Sequence, residues 1–130
     1  MAKLKGALSG VKVVACSTAQ AGTVPYALMA DLGAEVIKIE VPNGGDNSRR
    51  AGELKGEVSS FFETNNRGVK SLTLNLRTDE AKKILHELVK RADVFGQNFR
   101  PGAAERYGFG YEELKEINPA LVYASVSGYG

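Results

Sequence analysis

The feature that most constrains this chain is its rhythm, in which short, partly β-branched apolar runs alternate with stretches whose apolar residues recur at helical spacing. Val11-Lys12-Val13-Val14-Ala15-Cys16, bounded by Gly10 and Ser17, predicts a strand. Residues 17–24 are small and polar and predict a loop. Pro25 suits the first turn of a helix, where its missing N–H would have no partner, and Gly33 suits the stop after Leu32. AEVIKIE at 34–40 alternates as a second strand, and SLTLNL at 71–76 as a third, with Leu72, Leu74 and Leu76 on one face. Thr78 reads as an N-cap with Asp79 and Glu80 in the first turn. Ala81, Ile84, Leu85, Leu88 and Val89 then fall on one helix face. Residues 92–96 form a fourth strand, 101–107 and 111–117 short helices, and 121–126 a fifth strand. Asn118-Pro119 ends the second of those helices. Residues 58–64 are ambiguous.

This order implies an α/β fold with a parallel, doubly wound sheet and helices on both faces. On such sheets ligands bind where loops leave the carboxyl ends of the strands. The loops in that position are 17–24, 41–57, 97–101 and 127–130. The second is long, polar and rich in glycine, and loops of that length tend to be functional or mobile. Only Ser-Gly-Tyr-Gly follows the last strand region, where a covering helix would normally close the domain, so a domain cut short is expected.

Composition removes several function classes. The net charge is +2, from 17 Lys and Arg against 15 Asp and Glu, too balanced for bulk nucleic-acid binding. Local basic clusters do occur at Arg49-Arg50, at Arg67 with Lys70, and at Arg100 with Arg106, all in or beside loop-like stretches. No apolar run spans a bilayer, and the start lacks the apolar core of a secretory signal. A single cysteine fits a reducing, cytoplasmic setting. One histidine and one cysteine exclude the common zinc clusters, and no metal is expected. Neither G-x-G-x-x-G nor G-x-x-x-x-G-K-[ST] is present, which disfavours an NAD-dependent enzyme and a P-loop nucleotidase.

Individual residues carry two readings each. His86 fits a solvated helix surface better than a site. Cys16 fits a buried strand thiol better than a nucleophile. Gln20 suits a binding role and a turn role equally. Asp31 and Glu40 read as structural, with no partner visible in the sequence. The sharper constellation is Asn98-Phe99-Arg100-Pro101-Gly102, with Arg106 beyond it. A rigid Pro-Gly turn carrying an exposed aromatic and arginines suits a ligand with a planar base and phosphates, and it also suits a charged surface loop.

LSGVKVV, AQAG, ADLGAEVIKIEVPNGGD, NNRGVKSLTLNLRT, ADVFGQNFRPGAAERYGFGYEEL and INPALVYASVSGYG occur in that order. Together they resemble the successive blocks of the family III CoA-transferases, the group that includes formyl-CoA transferase and carnitine CoA-transferase. The resemblance covers nearly the whole chain, and the ordered series is more specific than any block. It implies a large Rossmann-like domain and a smaller one, in two chains interlocked as a homodimer. It implies transfer of CoA from an acyl-CoA to a small carboxylic acid, with CoA as substrate. In that chemistry an aspartate attacks the thioester to give an anhydride, and the released thiolate forms a glutamyl- or aspartyl-type thioester.

Residue by residue, the resemblance assigns Gln20 and Ala21 to the thioester. It assigns Leu74 and Arg77 to the adenine and phosphate path, Asn98 and Phe99 to the CoA channel, and Arg106 with its apolar neighbour Tyr107 to a phosphate. Val41 stands where the family often has a basic residue, Gly22-Thr23 replaces Gly-Pro, and the NNRGVKS turn is about a residue longer. The attacking aspartate would follow the SGYG block; Asp31, Asp46 and Asp93 match other positions. Residues 1–130 thus read as the N-terminal part of the large CoA-binding domain, without the small domain or the C-terminal return. A stand-alone CoA- or nucleotide-binding module without catalysis is the competing reading.

Overall fold

The computed structural model describes residues 6–129, so Gly130, the last residue of the fourth rim loop, lies outside the described residues. Five parallel strands form the main sheet: β1 (Lys12–Cys16), β2 (Glu35–Glu40), β5 (Lys70–Thr73), β6 (Val94–Gln97) and β7 (Val122–Ser125), in the order β5-β2-β1-β6-β7. A small antiparallel pair, β3 (Leu54–Lys55) and β4 (Val58–Ser59), stands apart.

The pleat explains how both faces are covered. On one face Val13, Ala15 and Val36 pack with Tyr26 and Ala34 beneath α1 (Ala19–Asp31). On the other, Val14, Cys16, Ile39 and Phe95 pack against α3 (Asp79–Val89), α4 (Ala103–Arg106) and α5 (Tyr111–Ile117). Alternate residues of the central strands thus meet different helices, as a doubly covered parallel sheet requires.

The third helix follows its sequence signal. The Thr78 hydroxyl accepts the Ala81 N–H, and Ala81, Leu85 and Val89 are buried at i, i+4 and i+8. Ile84, expected on the same face, is 46% exposed because the stripe facing the sheet is narrower than the pattern suggests. His86 is not simply solvated: its Nε2 lies 2.8 Å from the Gly108 carbonyl, tying α3 to the turn before α5.

The first helix departs from expectation. Only Ser17 and Thr18 of the expected 17–24 loop lie outside regular structure; α1 begins at Ala19, and Pro25 lies inside it on the exposed side. Local propensity disfavours this start, with glycine, threonine and proline close together. Tertiary contacts overrule it, because a carboxylate far away in sequence captures the Ala19 N–H, and the Thr23 hydroxyl bonds the Ala19 carbonyl at 2.6 Å.

The long stretch after β2 is ordered as well. It holds a 3-10 turn at Asn47–Arg50 and the β3–β4 pair, then α2 (Ser60–Asn65), whose N-cap Ser59 accepts the Phe62 N–H at 3.0 Å. Three of the basic residues read as loop charges are held in ion pairs: Arg49 with Glu40, Arg67 with Asp31, and Lys70, a strand residue, with Glu35. Asp31 and Glu40 therefore have structural partners, at 36 and 9 residues' separation.

Candidate functional site

The strand order reverses at β1. The chain lays β2 and β5 to one side of it, then crosses to place β6 and β7 on the other. Connections leaving β1 and β6 diverge there, which opens a crevice at the carboxyl ends of the two strands. Asn98, just past β6, closes the base of that crevice: its Oδ1 accepts the Thr18 N–H at 2.9 Å and its Nδ2 donates to the Thr18 carbonyl at 2.8 Å. The contact needs Gly22, since a Cβ there would lie 2.5 Å from Asn98 Nδ2.

Beside the crevice, segments following β2, β5 and β6 enclose a cleft of about 440 Å³. Its walls are Val41, Pro42 and Asn43, then Asn75, Leu76 and Arg77, then Phe99 and Tyr107. A smaller cavity of about 40 Å³ adjoins it and reaches Cys16, Ser17, Leu74 and Asp46. The cleft combines a flat aromatic wall with a cation. Phe99 packs edge-on to Tyr107 and Phe109, with centroids at 6.1 and 5.4 Å, so its ring is half-buried and fixed rather than freely exposed. Arg77 is exposed and makes no salt bridge among the described residues. Such a wall can take a planar base, and a free guanidinium can take a phosphate.

The eight residues singled out in the sequence do not all meet. Arg77, Phe99 and Tyr107 share the cleft. Leu74 lies below them as a buried side chain in the smaller cavity's wall. Gln20 and Ala21 are exposed in the first turn of α1, just beyond Thr18 at the crevice. Asn98 is at the crevice with its amide engaged by backbone. Arg106 stands apart, exposed at the end of α4 and outside the cleft wall. Ser127 lines a further recess of about 180 Å³ with Gln97, Phe99 and Arg100.

Sequence reasoning missed a buried charged network behind the rim. Lys38 and Asp46 are 2% and 0% exposed and form an ion pair, and Lys38 Nζ also donates to Asn66 Oδ1 at 2.7 Å. Asp46 further accepts Ser48 N–H at 2.8 Å and Ala19 N–H at 3.2 Å, and its own N–H donates to Glu40 Oε2 at 2.8 Å. Burial alone would raise both carboxyls, but the hydrogen bonds prevail. The bonds from Lys38 and Ser48 hold Asp46 below the usual carboxylate range, and those from Arg49, Ser71 and Asp46 lower Glu40 to about 2. The signal was available: charges at 38 and 40 in a strand covered on both faces must be buried, and buried charges need partners. Cys16 is buried, and burial pushes its thiol up, which removes it as a nucleophile.

No group of metal-ligating side chains occurs among the described residues, and no helix there is long and apolar enough to cross a membrane. The sequence model of CoA-transferase family III matches residues 8–130. An acetyl-CoA:oxalate CoA-transferase of Acetobacter aceti is 45% identical over 99% of this chain and 33% of its own length. The succinyl-CoA:glutarate CoA-transferase of Homo sapiens is 40% identical over 95% of the chain and 28% of its own. A CAIB/BAIF family protein from Brucella suis superposes with a TM-score of 0.90 at 40% identity, covering 98% of this chain and 35% of that one. A Mycobacterium tuberculosis protein, solved in an orthorhombic crystal form, gives 0.92 at 37% identity, over 98% and 36%. The chain thus spans about a third of the length of the relatives it matches.

Proposed function

The chain belongs to CoA-transferase family III, and from that premise we propose that its carboxyl-end rim is the CoA-handling part of an enzyme that moves CoA between an acyl-CoA and a small carboxylic acid. The observation that carries this is the 440 Å³ cleft beside the strand-order reversal, walled by Arg77, Phe99 and Tyr107. In this reading the aromatic wall takes the adenine and Arg77 a phosphate. Leu74 lies beneath the adenine and phosphate path, and the pantetheine arm then runs past Asn98 toward the thioester at Gln20 and Ala21. Arg106, outside the cleft wall, takes a phosphate from the open side.

Residues 1–130 are then the N-terminal part of a large Rossmann-like domain. The intact protein is a cytoplasmic, interlocked homodimer whose attacking aspartate lies outside these residues. Cys16, the one thiol of the chain, is buried with a raised pKa and is not the attacking group. The alternative is that this chain alone binds CoA without turning it over.

Calorimetric titration separates these readings from a charged surface that holds no nucleotide. CoA should bind, and NAD should bind more weakly. A charge-assisted bond to phosphate contributes about 1.5–3 kcal/mol, so Arg77→Ala and Arg106→Ala should each weaken CoA roughly ten- to a hundredfold. An unchanged dissociation constant for either variant removes that arginine from the site.

A further inference from the structure

Ala19 has φ +57°, a left-handed conformation that a residue with a β-carbon keeps only when its surroundings hold it. Those surroundings are remote in sequence. On one side Asn98 clamps both backbone groups of Thr18. On the other, both carboxylate oxygens of Asp46 lie 3.2 Å from the Ala19 nitrogen. Asp46 is itself fixed by Lys38, by the Ser48 N–H and by its own N–H on Glu40. The strained residue immediately precedes Gln20 and Ala21.

We propose that Asp46 is a positioning residue for the crevice: its carboxylate holds the Ala19 N–H and so sets the backbone from which Gln20 and Ala21 enter the rim. The proposal rests on the CoA reading of that rim. It goes further in separating two tasks of one carboxylate. Neutralising Lys38 serves stability, and apolar residues of similar size can replace a buried ion pair without loss of fold. Capturing the Ala19 N–H serves the ligand, and only an acceptor at position 46 can do it.

The test is a pair of double variants in the 130-residue chain. Lys38→Met with Asp46→Leu removes both charges together and leaves no orphan charge in the core. It should fold, move the Ala19 amide resonance away from its wild-type shift, and raise the CoA dissociation constant about tenfold or more. Lys38→Met with Asp46→Asn keeps a carbonyl acceptor and should recover much of both. If the first variant folds with the Ala19 shift and the CoA affinity unchanged, or if the second rescues neither, the proposal is overturned. Should the first variant fail to fold, slow hydrogen exchange of the Ala19 amide in the wild type is the deciding readout, and fast exchange contradicts the proposal. If the wild-type chain binds no CoA, the reading of the rim fails by itself, and the Ala19 amide still decides the positioning.

Discussion

Gly22 and Asn98 show how one missing side chain makes a site possible. With no β-carbon, Gly22 lets the Asn98 amide reach both backbone groups of Thr18. Gly22→Ala inserts a methyl 2.5 Å from Asn98 Nδ2, and overpacking of this kind costs about 1–3 kcal/mol. A urea melt should show that loss, and CoA affinity should fall with it. Glu40 makes a pH prediction. Its carboxyl is lowered from 4.5 to about 2, so its contribution is complete above about 4.5 and is lost as pH falls toward 2. Glu40→Gln should flatten the stability profile between those values, measured as melting temperature against pH. An unchanged profile would mean that Arg49 and Ser71 do not stabilise the charged form. Residues such as Thr78 and Leu85 were legible because their partners lie within one helix or one face. Asp46 was not, because its partners are scattered from Ala19 to Ser48 and are joined only by the fold.

The elements differ in what made them. α3 is local: cap, acidic first turn and apolar stripe are all adjacent in sequence. α1 is tertiary: its first turn exists because Asp46 and Asn98 hold it, so sequence propensity placed its start about a turn and a half too late. The same contrast predicts substitution effects on α3. Leu85 is fully buried, so Leu85→Ala should lose about 2–5 kcal/mol. Ile84, half exposed, should lose well under half of that when changed to alanine, as read by chemical denaturation. Equal losses would mean that the helix is rotated from the face described. The segment between β2 and α2 defeated sequence reading for another reason. Its order comes from the buried Lys38–Asp46–Asn66 network, and a polar, glycine-rich stretch carries no periodicity to announce it.

At the scale of the molecule, strand order decides where chemistry can occur. The reversal at β1 and the cleft after β2, β5 and β6 lie on one rim, and three of the eight residues singled out in the sequence line that cleft. A chain spanning about a third of its relatives need not carry the whole reaction. Pure, length-verified protein should bind CoA yet show no transfer between an acyl-CoA and oxalate, and measurable turnover would mean that a nucleophile lies within these residues. Amide resonances mapped during a CoA titration of the 130-residue chain test the rim assignment itself. The shifts should concentrate at residues 18–22, 41–43, 75–77 and 98–107, with α3 and the β3–β4 pair silent. Saturable shifts confined to any other face, or none at millimolar CoA, would contradict it.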